Sequence, residues 1–467
     1  MPELDRRNFL KMVGLSAGAV AAAGCQEPVE RVIPYLIQPE EVTPGIATYY
    51  ASTCRECPAA CGTRVKTREG RPIKVDGNPE DPISRGALCV RGQTSLDRTY
   101  DAARFRGPVR REGDRWVSAS WEEGLGLLVQ RLRGTAAAGR VAFLGGHETG
   151  TLDGLIDRFL AAIGSRHRVR FELYGYEALR KADEIVFGTD TVPHFDLERA
   201  DFVLSFGADF LETWLNPLQN QRGYSEGRRA GQGYAVYVGP RLSLSGSNAD
   251  LWIAPEPGTE IFVARGLARE LASRRGTRSL PASARRVLEP FSLAKAAELS
   301  GVEQRTLEVV AGRLAKAKAP LSLPPGSEIL GTNGTELAVA VQLLNAASGA
   351  LGNTVRFGPD HNLSGLGSLG DLKDLAGRMR GGEVEVLLIH DTNPVYALPS
   401  AFGFADAVRQ VPFKVSFSSA DDETTSMADL VLPDHTPFEA WGDSEPIMGV
   451  RRLQQPTIRP IFDTRAL

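Results

Sequence analysis

Four cysteines carry the chemistry most visible in this sequence. Cys54, Cys57 and Cys61 fall within the stretch Thr53-Cys-Arg-Glu-Cys-Pro-Ala-Ala-Cys-Gly62, and Cys89 completes the spacing C-x2-C-x3-C-x27-C. A cubane [4Fe-4S] cluster takes one thiolate per iron, so a compact triplet with a remote fourth ligand suits it. Zinc more often uses two separated pairs, and an even number of cysteines in an exported chain also permits two disulfides. The spacing favours the cluster and leaves zinc and disulfides open. Cys25, the remaining cysteine, ends Ala22-Ala23-Gly24-Cys25, which looks like a lipobox at which the cysteine carries a lipid.

The leader bears on that choice. Asp5-Arg-Arg-Asn-Phe-Leu-Lys11 resembles a twin-arginine export signal, and the apolar run Met12 to Gly24 behind it is too short to span a bilayer. That route carries proteins already folded with their cofactor, which a cluster needs and a disulfide does not. The expectation is a periplasmic protein, or one on the outer face of the cytoplasmic membrane, lipid-anchored at Cys25 and membrane-associated without crossing. With 467 residues, 42% hydrophobic and 24% charged, the chain can bury two or three cores, and its net charge of -3 argues against nucleic acid as a partner.

The elements that must position the cysteines alternate strand with helix. Arg140 to Gly146 reads as an apolar strand closed by glycines, followed by a helix with Leu152, Ile156, Phe159 and Leu160 on one face. Further strands are expected at 202-206, 234-238, 384-390 and 413-417, with helices at 259-272 and around Leu337, Val341 and Leu344. This is an α/β pattern with a parallel sheet, whose ligands lie at the carboxyl ends of strands. Gly145-Gly146, Gly207, Gly239-Pro240 and Asn393-Pro394 all fall at such ends.

Together with the leader and the cysteine stretch, Gly70 to Pro79 and Gly86-Ala-Leu-Cys-Val-Arg-Gly92 resemble the N-terminal domain of the molybdopterin oxidoreductases that bind bis-molybdopterin guanine dinucleotide. The resemblance continues through Ala200 to Gly207, Pro240 to Ser245, Asn248 to Trp252, Pro257 to Glu260, Asn393-Pro394, Thr424 to Pro433 and Glu439-Ala-Trp-Gly442. Within that family Pro28 to Glu41, with Tyr49-Tyr50, looks most like the large iron-sulfur subunit of the quinol-oxidising alternative complex III, a relative that has lost the molybdenum cofactor. The cysteine quartet departs from that subunit, which usually lacks it.

The resemblance implies a layout: a signal over 1-25, a [4Fe-4S] domain over 46-108 with a return segment at 433-460, a Rossmann-like domain made of 109-165 and 319-432, and a second Rossmann-like domain inserted at 166-318. Ala315 to Pro320 looks like the re-entry point, and the domain that closes over the pterins in complete enzymes is expected to be absent from the chain. It also implies site residues. Cys54, Cys57, Cys61 and Cys89 would hold the cluster, Arg91 would lie between cluster and pterin, and Thr424, Thr425 and Asp429 would contact the pterin nucleotide. Two departures count against molybdopterin guanine dinucleotide. The segment Phe171 to Glu177, where a metal-binding side chain is expected, has no Cys, Ser or Asp, and Glu177 there reads as a solvated carboxylate. Gly239 stands where the family usually has Asp before Pro-Arg.

The implied function is an electron-transfer iron-sulfur subunit of a membrane-associated respiratory complex. Its implied neighbours are a ferredoxin-like iron-sulfur subunit, a quinol-interacting membrane subunit and a cytochrome c. The alternatives are an active molybdenum or tungsten oxidoreductase of the polysulfide or thiosulfate reductase type, and a disulfide-stabilised protein without redox function. The six histidines show no metal spacing, although His147 and His390 follow strand ends and could line a cleft.

Overall fold

A computed structural model describes residues 42-135, 139-229, 233-274, 280-327, 329 and 331-467. The expected twin-arginine signal, Cys25 and the Pro28 to Glu41 segment lie outside the described residues. Ala47 to Leu467 form one compact unit. Among the described residues no helix is long and apolar enough to cross a membrane.

Strands are numbered in chain order. The cysteines are framed by an antiparallel sheet of β1 (Thr48–Thr53), β2 (Gly62–Arg68) and β3 (Arg71–Gly77). Beyond it lies a seven-stranded sheet. Its parallel centre runs β16 (Leu430–Val431), β15 (Phe413–Ser416), β14 (Val386–His390), β6 (Val141–Gly145) and β7 (His167–Arg170), and the hairpin β4 (Val109–Glu112) and β5 (Arg115–Ser118) forms its antiparallel edge. Every residue of β6, β14 and β15 is buried, as expected where a parallel sheet is covered on both faces.

A second parallel sheet has the order β11 (Leu251–Ile253), β10 (Tyr234–Val238), β9 (Phe202–Phe206) and β12 (Pro320–Leu323). Helices Glu260–Arg274 and Gly334–Ser348 cover it, with Leu267, Leu271, Leu337, Val341 and Leu344 fully buried in a shared core. Strand β12 pairs with β9, so the chain is still in this second sheet at the point where the Ala315 to Pro320 segment suggested re-entry. The local signal of a helix end followed by a strand was read correctly; which sheet the strand joins depends on pairing some hundred residues away.

The fourth sheet is assembled from distant pieces: β8 (Val192–Phe195), β13 (Val355–His361) and the hairpin β17 (Gly442–Ile447) and β18 (Val450–Gln454). This hairpin returns to the cysteine sheet. Thr53 donates its hydroxyl to the Leu453 carbonyl at 3.0 Å, and Ser52 donates to Gln455 at 2.9 Å. The segment leading into the hairpin is pinned by a buried ion pair, with Arg104 Nη2 2.7 Å from Glu439 Oε2 and both side chains at most 1% exposed. Glu439 also accepts hydrogen bonds from Thr436 and from the Ile461 amide, so its remaining lone pairs are engaged. Burial opposes its charge, but Arg104 and these donors outweigh it and hold the carboxyl below its usual range. Removing one partner of such a pair costs about 3–5 kcal/mol.

Another buried carboxyl is not compensated. Asp183 is fully buried on helix Glu177–Phe187, where Oδ1 accepts from Gln342 Nε2 at 2.5 Å and Oδ2 has no partner. Burial, opposed by Gln342 and reinforced by Asp360, pushes its pKa from 3.8 up to about 8. The folded protein therefore keeps a proton that the unfolded chain releases, and this group's contribution to stability falls as pH rises from about 4 to about 8. Asp183→Asn, isosteric with the protonated acid, is expected to raise the thermal midpoint at pH 8 by a few degrees and to leave it nearly unchanged at pH 4. Melting curves at the two pH values check this; equal shifts at both would refute it.

Candidate functional site

The cysteine loop is built by close approach. The amide of Cys54 donates to the Cys61 carbonyl at 2.9 Å and closes the triplet, while Ala60 N donates to Cys57 O at 3.1 Å. Ala60 has φ 41°, a left-handed conformation that an alanine adopts only under constraint. Gly77, at the end of β3, lets the Cys89 segment come alongside: a Cβ there would lie 2.4 Å from the Gly86 carbonyl oxygen. Cys54, Cys61 and Ala59 are buried with Leu218 of the second sheet's helix Pro217–Arg229, and Cys57, Leu88 and Cys89 pack against them. The four cysteines predicted as ligands are thus brought together, and all four thiols are free.

Their environment is dry. Burial pushes the Cys54 thiol up to about 12 and also raises Cys57 and Cys61, because a lone thiolate cannot be solvated there. Four thiols held together in such a place need cationic metal to stay deprotonated, and a cluster with one iron per thiolate supplies it. Among the described residues no group of three or more His, Cys, Asp or Glu side chains is arranged around a single ion. Arg91 faces Cys57 and Cys89 and lines a cavity of about 560 Å³ with Tyr174 and Tyr176.

Arg452 of β18 was missed by sequence reasoning. Its side chain is 6% exposed; Nη1 donates to the carbonyls of Ala59 at 2.9 Å and Ala60 at 2.6 Å, Nη2 donates to Asp81 Oδ1 at 2.9 Å, and Nε lies 2.7 Å from Asp81 Oδ2 as an ion pair. Asp81 in turn accepts from the amides of Ile83 and Ser84. Burial would raise its pKa, but the Ser84 amide and Arg452 prevail and hold it low. No local signal marks Arg452, which sits some 390 residues from the loop it serves.

On the other side of the cysteines a cleft opens at the carboxyl ends of β6 and β14. It is lined by six acids: Glu56, Glu148, Glu172, Asp391, Asp434 and Asp443. Two arginines face them and both are engaged, Arg55 with Glu148 and Arg98 with Glu56 at 3.4 Å and Asp391 at 3.8 Å. His147 and His390 both line this cleft. Neither ring nitrogen of His147 has a hydrogen-bond partner, and burial, aided by Arg55, pushes its pKa down to about 4. His390 pairs with Asp434 at 3.2 Å; burial disfavours its charge, but Asp434 outweighs burial and raises its pKa.

A pterin dinucleotide carries a pyrophosphate, for which helix N-termini and free cations are the usual partners. Here the strand ends are filled from within. Asp443 of β17 occupies the start of helix Thr151–Ala162, accepting from the Thr151 amide at 2.8 Å and hydroxyl at 3.0 Å. A Cβ on Gly146 would lie 2.3 Å from the Asp391 carbonyl oxygen, so this glycine serves packing between strand ends. Beyond β9, Asp209 accepts from the Ser245 amide and hydroxyl. Beyond β14, Asn393 Oδ1 accepts from Thr424 N and Oγ1. This donor set does not fit an anionic dinucleotide, whereas the cysteine set fits a cluster.

The residues expected to contact the nucleotide have internal partners. Thr424 is bound to Asn393, Thr425 Oγ1 lies 2.9 Å from Ser416 Oγ, and Asp429 pairs with Lys414 Nζ at 2.8 Å; both threonines are fully buried. Glu177 opens its helix and accepts from the Leu369 amide at 2.9 Å. The residue of that segment that enters the cleft is Glu172, beside Cys57 and Asp391, and burial together with Asp391 raises its pKa.

A family model described as the molybdopterin oxidoreductase Fe4S4 domain matches residues 47–101, and one described as molybdopterin oxidoreductase matches 104–467. The menaquinone reductase molybdopterin-binding-like subunit of Nitratidesulfovibrio vulgaris is 32% identical, over 99% of this chain and 70% of its own length. The arsenate respiratory reductase molybdopterin-containing subunit ArrA of Shewanella sp. is 23% identical, over 99% of this chain and 64% of its own length. Acetylene hydratase from Pelobacter acetylenicus shares the fold, with a TM-score of 0.75 over 89% of this chain and 67% of its own at 14% identity.

Replacing one thiol tests the ligand set. Cys57→Ala is expected to lose most of the bound iron and the brown colour, measured by iron analysis and visible absorption of the purified protein; full retention of both would remove Cys57 from the set.

Proposed function

The chain belongs to the molybdopterin oxidoreductase family, and from that premise we propose that it is the electron-transfer iron-sulfur subunit of a membrane-associated respiratory oxidoreductase. The observation that carries this reading is a complete cysteine quartet beside a cleft in which Asp443 occupies the start of helix Thr151–Ala162. When bound at Cys54, Cys57, Cys61 and Cys89, a [4Fe-4S] cluster supplies a one-electron relay. The protein's part is to keep the four thiols together, to exclude water with Leu218 and Ala59, and to hold Arg91 beside Cys57 and Cys89, where its charge favours an added electron.

The cleft is proposed to hold its own acids and arginines in place of a metal-pterin. Both relatives bear the name of a reductase subunit, which supports working partners. A ferredoxin-like iron-sulfur subunit, a quinol-interacting membrane subunit and a cytochrome c are the proposed classes. Export by the twin-arginine route and lipid attachment at Cys25 belong to the same proposal and rest on the leader sequence.

A second reading, an active molybdenum or tungsten oxidoreductase, is favoured by one observation: Glu172 places a carboxylate in the cleft beside Cys57. Metal analysis of the natively exported protein separates the two. The expected result is about four iron atoms per chain with molybdenum and tungsten at trace level; a stoichiometric amount of either heavy metal would overturn the first reading.

A further inference from the structure

We infer that the buried Arg452–Asp81 pair sets the reduction potential of the cysteine site, acting as a fixed dipole whose positive end lies on the loop between Cys57 and Cys61. The inference rests on the reading of the four cysteines as cluster ligands.

The geometry separates the two ends of the pair. One edge of the guanidinium, Nε and Nη2, faces the two Asp81 oxygens at 2.7 and 2.9 Å. The opposite nitrogen, Nη1, reaches the carbonyls of Ala59 and Ala60, the two residues directly before Cys61. Both charges therefore border the cysteine loop, the cation at the Ala59 and Ala60 carbonyls before Cys61 and the carboxylate against Gly62 after it, where a Cβ would come within 2.6 Å of Asp81 Oδ2. Both side chains are nearly inaccessible, at 6% and 3% exposure, so water and salt screen the pair little.

Arg452 also fixes the loop in place. Ala59 and Ala60 are each 6% exposed, and their carbonyls would lose a charge-assisted donor without Arg452. The left-handed Ala60 is held from outside its own segment, by a side chain whose planar fork serves two carbonyls and a carboxylate at once. Arg91 approaches the cysteines from the cavity side and is exposed, so the two arginines act from different directions and in different dielectric surroundings.

Reduction of a cluster adds one negative charge and changes no covalent bond to the protein. A nearby cation stabilises the added charge and raises the potential; a nearby anion lowers it. The two members of the pair thus have opposite signs of effect, which a purely structural role does not predict. Arg452→Gln is expected to lower the potential and Asp81→Asn to raise it, each by on the order of tenfold in the one-electron equilibrium, about 59 mV. Asp81→Asn keeps the oxygen that accepts from Ile83 and Ser84, so the turn survives. Arg452→Lys retains the charge without the fork and is expected to leave the potential near that of the wild type while lowering the iron retained.

The test is a redox titration followed by electron paramagnetic resonance on the full-length wild type and the three variants at one pH. Shifts of opposite sign in Arg452→Gln and Asp81→Asn support the inference. Shifts of the same sign, or none, in variants that keep their iron overturn it. Should Arg452→Gln fail to fold, an unchanged or lowered potential in Asp81→Asn overturns it alone. A wild type without iron overturns the cluster reading itself, and this inference with it.

Discussion

A loop that brings three cysteines together in a buried site leaves its own carbonyls in need of donors. Arg452 meets this need from the far end of the chain. Its charge would be costly to bury alone, so Asp81 faces it, and Asp81 is in turn fixed by the amides of its own turn. The position of the loop thus depends on a chain of buried polar contacts, with every member partnered through the next. Arg104 and Glu439 hold the segment that leads into the same hairpin, so two buried arginine–carboxylate pairs fasten one return segment. Apolar packing of Cys54, Cys61 and Leu218 excludes water there but has no directional preference, and it could not by itself choose the loop conformation.

The hairpin β17 and β18 has two duties at its two strands. Arg452 on β18 grips the cysteine loop, whereas Asp443 on β17 occupies the start of helix Thr151–Ala162 in the cleft. A carboxylate at a helix N-terminus satisfies amide donors that would otherwise take an anionic ligand. Asp209 beyond β9 and Asn393 beyond β14 likewise accept hydrogen bonds from the protein's own hydroxyls and amides. Glu148 and Asp391 then take up the arginine charges that face the cleft.

Much of the fold was legible because its signals are local. Strands 202-206 and 234-238 occur with the expected bounds, and their mainly apolar sequences, Phe-Val-Leu-Ser-Phe and Tyr-Ala-Val-Tyr-Val, are what a covered strand requires. The cysteine set was legible because its spacing is itself the motif. Arg452 and Asp81 were not, since an arginine in Val-Arg-Arg-Leu looks like any strand residue until the hairpin is docked. The choice between Glu172 and Glu177 was equally out of reach: it turns on the left-handed Tyr176, at φ 51°, after which the chain enters a helix and carries Glu177 away from the cleft. The expected nucleotide contacts at Thr424, Thr425 and Asp429 are turn and cap residue types, and in the fold they have turn and anchoring partners.

The return of Arg452 to the Ala60 carbonyl spans 392 residues of sequence. During synthesis the cysteine triplet leaves the ribosome long before its clamp exists; at about 5–20 residues per second the interval is roughly 20 to 80 s. Throughout that interval Ala59 and Ala60 lack their donor and Asp81 lacks its counter-charge. The cysteine segment, made early, is therefore among the last to acquire its final shape. Arrangement of the cysteine loop is thereby tied to the arrival of β18, and a nascent chain interrupted before β18 would present the cysteines without the frame that holds them.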